Sequence, residues 1–146
     1  MLKSFAVSSL AFALMCVNAE EAIFRFKQNQ VTFAFKLTDP SLIKHARALV
    51  YGNTTENPHI QGKIIKKPEF YNYPWGFTLD PDTISFFDAK NKTCNTGIRW
   101  AEYYLDRVCD TLLPGCHWCP DNSVLLEEVK TGMNVPMPPR KYGNSS

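Results

Sequence analysis

The chain has 146 residues, of which 45% are hydrophobic and 13% aromatic, and its formal net charge is +2. This length allows one domain, and the composition is that of a chain with an ordinary hydrophobic core, which excludes intrinsic disorder. A net charge this close to zero excludes a general electrostatic binder of nucleic acids.

The first 19 residues have the pattern of a secretory signal peptide. Lys3 precedes an apolar run over residues 5–17, and small side chains stand at Val17 and Ala19, the two positions that a signal peptidase reads. The run of about 13 residues is shorter than the roughly 20 that a membrane-spanning helix needs. We therefore predict cleavage after Ala19 and a secreted product, with a domain over residues 20–129 and a flexible proline-rich tail over residues 130–146.

Four cysteines remain once the signal segment is removed, and an even number in a secreted domain indicates two disulfide bonds. They are Cys94, Cys109, Cys116 and Cys119. Spacing alone leaves three pairings open. Export is also in keeping with three glycosylation sequons, each of which predicts an exposed site; they begin at Asn53, Asn91 and Asn144.

The first half of the mature chain predicts strands around one helix. Alternating apolar and polar residues predict strands over 23–27 and 31–37. Asp39 and Pro40 form a helix-start signal, apolar residues continue at helical spacing, and Gly52 ends the helix. A third strand is predicted over 59–67, where Gly62 marks a bulge or a close approach.

The second half begins with a turn-rich aromatic loop over residues 68–76. A strand pair over 77–79 and 84–87, a second helix over 98–112 and a last strand over 124–129 follow. This order predicts an α+β fold, in which an antiparallel sheet carries two helices on one face. Its arrangement is either the ferredoxin-like split β-α-β or a related sandwich, stabilised by the disulfide bonds.

Several segments resemble one known family. They are Phe35-Lys36-Leu37-Thr38-Asp39-Pro40, Gly62-Lys63-Ile64, the stretch 71–87 that begins Tyr71-Asn72-Tyr73-Pro74-Trp75, Leu113-Pro114-Gly115, and Trp118-Cys119-Pro120. Together they are similar to the N-terminal domain of slime-mould cyclic-AMP-inducible proteins, which are often described as calmodulin-binding, and of secreted bacterial relatives. The resemblance covers residues 31–129.

The resemblance implies a fold and an exported protein, but no catalytic role. Family members have cysteines that match Cys94 and Cys119, which implies a bridge between these two residues. Cys109 and Cys116 look like additions, and we expect them to form a local bridge. The calmodulin label does not carry over, because the chain is predicted to be exported and the segment 98–112 mixes acidic with basic residues.

The aromatic loop is the strongest candidate for a binding site. Tyr71, Tyr73 and Trp75 lie close in sequence to Lys66 and Lys67, and rings combined with cations are typical of surfaces that bind proteins, sugars or membranes. The alternative interpretation is that the rings fill the core. For Trp75 we favour that alternative, whereas Tyr71 and Tyr73 remain open.

Other motifs point to chemistry less strongly. Cys116-His117-Trp118-Cys119 lacks the helix that would follow a redox-active C-x-x-C motif, and the second C-x-x-C motif of a strong zinc site is missing, so disulfide bonds are favoured over metal. Asp80, Asp82 and Asp88 carry oxygen ligands suited to calcium or hydrolysis, but turn chemistry explains them better. We therefore predict no cofactor and no metal.

These observations favour a small, secreted, disulfide-bonded protein that is not an enzyme. We expect a monomer that binds an extracellular protein, glycan or membrane and not a nucleic acid, as a toxin-like venom or salivary effector does. The alternatives are an inhibitor, a calcium- or calmodulin-related binding module, and a secreted hydrolase. The hydrolase would need a pocket that joins the aspartates to His59 or His117.

Overall fold

A computed structural model describes residues 19–88 and 93–130 of the chain. The predicted signal segment up to residue 18, the tail beyond residue 130, and the sequons at Asn91 and Asn144 lie outside the described residues. Within the described ranges, no helix is long and apolar enough to cross a membrane.

Two α-helices and nine strands form the described part of the molecule. The helices are α1 (Pro40–Val50) and α2 (Ile98–Tyr103). The strands are β1 (Ala22–Gln28), β2 (Val31–Leu37), β3 (His59–Ile65), β4 (Thr78–Leu79), β5 (Ser85–Phe87), β6 (Val108–Cys109), β7 (Leu112–Pro114), β8 (His117–Trp118) and β9 (Ser123–Val129).

The first sheet has the strand order β2-β1-β9, and both pairs are antiparallel. A two-residue turn joins β1 to β2, and Asn29 adopts the positive φ of 56° that such turns require. The register places Phe24 opposite Phe35 and Phe26 opposite Phe33. All four rings lie on one face of the sheet and are fully buried, so this face forms the floor of the core.

The second sheet is built around β3, which pairs antiparallel with β4, β5 and β8. Gly62 lies opposite Trp118 in β8, and a Cβ atom at this glycine would be 3.2 Å from Cγ1 of Ile84. The sequence interpretation of Gly62 as a close approach therefore describes its surroundings. A short parallel pair, β6 with β7, completes the strand pairing.

One large core joins both sheets and both helices. The helices contribute buried residues to it, Ile43 and Ala46 from α1 and Ile98 and Ala101 from α2, alongside the phenylalanines of the first sheet. The predicted α+β class with antiparallel sheets, two helices and stabilising disulfide bonds is therefore confirmed. The strands are divided between two main sheets rather than forming the single ferredoxin-like sheet.

The start of α1 follows from its capping residue. The carboxylate of Asp39 accepts hydrogen bonds from the backbone N–H groups of Ser41 and Leu42, at 2.8 and 3.1 Å, and from the Ser41 hydroxyl. These bonds, with that of the Ser41 hydroxyl the strongest, hold the pKa of Asp39 below its ordinary value. Pro40 occupies the first helical turn, where its missing N–H group costs nothing.

The second helix is shorter than the sequence predicts. It ends at Tyr103, and the chain turns so that the N–H of Arg107 donates to the carbonyl of Tyr104. Cys109 then adopts a φ of 74°, which a right-handed helix does not allow. The predicted helix over 98–112 is therefore wrong beyond residue 103, although Val108 still enters the core through the short strand β6.

An ion pair connects α1 to β9. The Arg47 guanidinium donates to both carboxylate oxygens of Glu128, with N···O distances of 2.8–3.2 Å, and the Glu128 side chain is only 16% exposed. Hydrogen bonds from Arg47 hold the pKa of Glu128 below its ordinary value. A carboxylate with a lowered pKa stabilises the fold above its unfolded pKa of about 4.3, and this contribution is lost as the pH falls through the folded pKa.

We expect Glu128→Gln to lower the free energy of unfolding by about 1–2 kcal/mol at neutral pH, because it removes a charge-assisted bidentate contact. The difference from wild type should shrink below about pH 4. Glu127→Gln is the matched control, since its pair with Arg25 is exposed, and we expect a change of at most about 0.5 kcal/mol. Urea unfolding at a series of pH values measures both, and equal losses in the two variants would contradict the assignment.

Candidate binding surface

The aromatic loop places its rings in different environments. Phe70 is 70% exposed and Tyr73 is also exposed, whereas Tyr71 is buried. Trp75 is half-buried against the main core. Of the rings in this loop, Phe70 and Tyr73 are therefore the two that stand open to a partner.

The buried ring of Tyr71 covers the outer face of the first sheet. It forms a small cluster with Ile23 and Ala34, and Lys36 Nζ lies 5.6 Å from its ring centroid. Burial of the phenol raises the pKa of Tyr71 to about 12. We therefore remove Tyr71 from the candidate binding residues, because its ring is already used within the fold.

Two side chains of the loop cover the free edge of β2. Asn72 Oδ1 accepts the N–H of Ala34 at 2.6 Å, and its Nδ2 donates to the carbonyl of Phe77 at 3.0 Å. Trp75 Nε1 donates to the carbonyl of Thr32 at 2.9 Å. The loop thus satisfies main-chain groups of an edge strand that would otherwise offer a template for another strand.

We expect Asn72→Ala to lower the free energy of unfolding by about 2–3 kcal/mol, because it leaves two main-chain groups without their buried partner. Asn95→Ala is a control at a half-buried amide that also makes two hydrogen bonds, to Asp121. We expect a smaller loss there, because water reaches the groups left behind. Thermal unfolding followed by circular dichroism measures both, and a loss below about 0.5 kcal/mol for Asn72→Ala would contradict the role of the amide.

The two predicted lysines are exposed beside the loop. Lys67 Nζ lies 4.0 Å from the carboxylate of Glu69, and Lys66 Nζ lies 3.5 Å from the carbonyl oxygen of Asp106. The second distance connects the strand end before the aromatic loop with the turn after α2. Both ammonium groups remain available to solvent or to a partner.

The sequence reasoning missed a second group of exposed rings on α2. Trp100 is 55% exposed and Tyr103 is 77% exposed, and the Tyr104 ring lies 4.5 Å from that of Trp100 and 4.7 Å from that of Tyr103, measured between ring centroids. The Arg107 guanidinium lies 5.2 Å from the centroid of Tyr104. Helical spacing was the available signal, because Ile98 and Ala101 occupy the buried side and leave Trp100 and Tyr103 on the opposite side.

The loop and α2 are joined at Gly76. Its N–H donates to the carboxylate of Glu102, at 2.9 and 3.2 Å from the two oxygens. A Cβ atom at this position would be 3.2 Å from Glu102 Oε1 and 3.3 Å from Leu105, so a glycine allows the close approach. We call the exposed rings and cations of the two segments the aromatic face; its members are Phe70, Tyr73, Trp100, Tyr103, Tyr104, Lys66, Lys67 and Arg107.

Two disulfide bonds hold the region that follows the second sheet. Cys94 is bonded to Cys119 and Cys109 to Cys116, the same pairs that the resemblance implies. Cys94 and Cys119 are buried, and the N–H of Cys119 also donates to the carbonyl of Cys94 at 2.8 Å. The local pair is half-buried, and both of its cysteines adopt positive φ angles.

The acidic and histidine residues of the other hypotheses lie in structural positions. The Asp80 carboxylate accepts the N–H of Asp82 in a turn, and His59 Nδ1 lies 2.9 Å from the carbonyl oxygen of Ser123. No group of three or more potential metal ligands forms around Asp80, Asp82 or Asp88 within the residues that the structure describes. A groove of about 450 Å³ lies against α1, and the exposed sequon residue Asn53 is part of its lining.

Comparison with known proteins gives one match. The family model of the calmodulin-binding protein N-terminal domain, the family that the sequence motifs resemble, matches residues 20–132. No curated protein and no solved structure matches the chain. The family match confirms the resemblance, and it extends over the strands, helices and both disulfide bonds.

Proposed function

The chain belongs to the calmodulin-binding protein N-terminal domain family, and we propose that it is a secreted protein that acts by binding an extracellular partner through the aromatic face. In this proposal the chain is not an enzyme, and its role is that of a toxin-like effector. The observation that carries the proposal is the exposure of Trp100, Tyr103, Phe70 and Tyr73 around one junction of the fold.

Exposed rings of this kind are suited to recognition. Aromatic side chains offer a large contact area and lose little conformational entropy on binding, so they often supply most of the binding energy of an interface. The neighbouring cations, Lys66, Lys67 and Arg107, supply donors and charge at the edge of the rings. A protein surface or a glycan offers complementary groups for both features.

The support of the aromatic face is rigid. The Gly76–Glu102 hydrogen bonds connect its two segments, and Asn72 connects the loop to β2 and to Phe77. A preorganised surface binds with a smaller loss of conformational entropy than a mobile loop. The packing of the fold therefore favours binding through the rings.

Two disulfide bonds in a domain of this size support export. Disulfide bonds form and persist in oxidising compartments, and small secreted domains use them to supplement a limited core. The predicted signal segment leads to the same compartment. The proposed partner is therefore a molecule on a cell surface or in an extracellular fluid.

The proposal is tested with fluorescently labelled, oxidised protein added to cells of the target tissue. We expect saturable binding, and we expect Trp100→Ala with Tyr103→Ala to weaken it at least about 10-fold, since central aromatic residues commonly contribute about 2 kcal/mol or more. Val124→Ala with Leu126→Ala is the matched control, because these exposed apolar residues lie on β9, away from the defined face, and should not change binding.

Treatment of the cells with protease or with glycosidases distinguishes a protein partner from a glycan partner. Vesicles of anionic and of neutral lipids test a membrane target. Unchanged binding of the Trp100 and Tyr103 variant would contradict the assignment of the face. Absence of binding to cells and vesicles alike would overturn the proposed function.

A further inference from the structure

A histidine lies beside the buried disulfide bond. The Sγ atoms of Cys94 and Cys119 and a ring nitrogen of His117 all lie within 4.8 Å of one another. Strand geometry explains part of this arrangement, because residues two apart in an extended chain point to the same side. His117 and Cys119 therefore share one side of the chain around β8, and Trp118 points to the other side, into the core.

These three side chains are a ligand set that zinc favours. Zinc binds thiolate sulfur at about 2.3 Å and imidazole nitrogen at about 2.0–2.1 Å, and two cysteines with one histidine leave a fourth position for water. Tetrahedral geometry at those bond lengths separates the ligand atoms by roughly 3.5–3.8 Å. Opening of the S–S bond and an approach of the histidine ring by about 1 Å would satisfy this geometry.

We propose that the reduced form of this domain binds one Zn²⁺ ion through Cys94, Cys119 and His117, and that the disulfide bond and the metal exclude one another. This inference does not depend on the proposed function. A dithiol or phosphine reductant supplies two electrons, the Sγ–Sγ bond breaks, and each sulfur takes up one proton. Zinc then replaces the two thiol protons, and the imidazole donates a nitrogen lone pair, so two protons are released for each ion bound.

The burial of the site suits a bound metal. Cys94 and Cys119 are buried, whereas His117 is half-buried and gives the site one side open to solvent. Thr96 and Trp118 hold the surrounding chain, since Trp118 Nε1 donates to the carbonyl of Thr96 at 2.9 Å. The ligands are therefore attached to segments that keep contacts with the core when the disulfide bond opens.

The second pair of cysteines must be removed to make the test unambiguous. Cys109 and Cys116 are also close to one another, and their thiols would bind metal in a reduced wild-type chain. The test therefore uses Cys109→Ser with Cys116→Ser as the parent protein. His117→Ala and Cys94→Ser with Cys119→Ser are introduced separately into this parent.

The experiment is a titration with Co²⁺, which takes tetrahedral thiolate sites and gives a visible spectrum and a sulfur-to-metal charge-transfer band. The parent protein, reduced with a phosphine under nitrogen, should bind one Co²⁺ with both signals, and Zn²⁺ should displace it. His117→Ala should weaken binding at least about 10-fold, and the variant without Cys94 and Cys119 should lose the charge-transfer band. Calorimetry in buffers of different ionisation enthalpy should give about two protons released for each Zn²⁺.

Circular dichroism of the same samples shows whether the chain that binds the metal is folded. A native spectrum with metal bound supports the site, also where the reduced chain regains it only on zinc addition. Metal binding by a chain that stays unfolded would overturn the proposal. So would a parent protein without a charge-transfer band, His117→Ala that binds as tightly as the parent, or oxidised protein that binds equally well.

Discussion

Trp118→Ala is expected to lower the free energy of unfolding by about 3–5 kcal/mol, because it empties a large buried volume. The Trp118 side chain is 0% exposed, and its ring centroid lies 5.2 Å from that of Phe33, 5.5 Å from Phe77 and 5.9 Å from Phe26. Trp118 therefore connects β8 in the second sheet to β1 and β2 in the first. Its loss removes packing between the two sheets as well as the hydrogen bond to Thr96.

Trp100→Ala provides the matched control, since the same chemical change is made at a side chain that is 55% exposed. We expect a loss of at most about 1 kcal/mol there, because water already surrounds most of the indole. Urea unfolding followed by circular dichroism measures both variants without relying on tryptophan fluorescence. Similar losses in the two variants would contradict the assignment of Trp118 to the centre of the core.

Removal of the buried disulfide bond is the second large effect. We expect Cys94→Ala with Cys119→Ala to lower the free energy of unfolding by about 3.5 kcal/mol, because the bond closes a loop with a sequence separation of 25 and restricts the unfolded chain. Cys109→Ala with Cys116→Ala opens a loop with a separation of only 7, for which the same relation gives about 2.5 kcal/mol.

Comparison of the two double variants tests the role of loop length. Both are purified without reductant, and their unfolding is measured in urea with circular dichroism as the signal. The larger loss should follow removal of Cys94 and Cys119. A larger loss for the Cys109 and Cys116 variant would show that local geometry, and not restriction of the unfolded chain, determines the contribution of each bond.

The elements with regular patterns could be predicted from the sequence almost to the residue. The predicted strand over 31–37 is β2 itself, because alternation along a half-buried strand leaves one register that buries its phenylalanines. The start of α1 was predictable because Asp39 and Pro40 form a local signal that needs no tertiary contact. The exposure of Asn53 in the loop after α1 also agrees with its sequon.

The division of the strands between two sheets could not be predicted, because it depends on contacts distant in sequence. β3 pairs with β8 through Gly62 and Trp118, which are far apart along the chain, and no local pattern specifies that partner. Likewise the end of α2 depends on the turn at Tyr104 and on the conformation of Cys109, whereas the apolar spacing continues without a break to Leu112.

The candidate surface was predictable only in part, for a similar reason. The aromatic loop stood out by composition, but composition does not distinguish Tyr71, which covers the sheet, from Tyr73, which is exposed. The rings of Trp100 and Tyr103 were attributed to no site, although the helical spacing around them already separates the buried side from the exposed side. Proximity of the two segments required the Gly76–Glu102 contact to be seen.

The pairing of β1 with β9 has a mechanical consequence. Ile23, near the start of β1, lies opposite Val129, at the end of β9, so the chain enters and leaves the described domain at the same end of one strand pair. A stretching force applied between these two ends would peel the hydrogen bonds apart one after another, as a zipper opens, instead of shearing them together. The domain should therefore yield to low tension at this corner, while the Cys94–Cys119 bond limits how far the chain can extend afterwards.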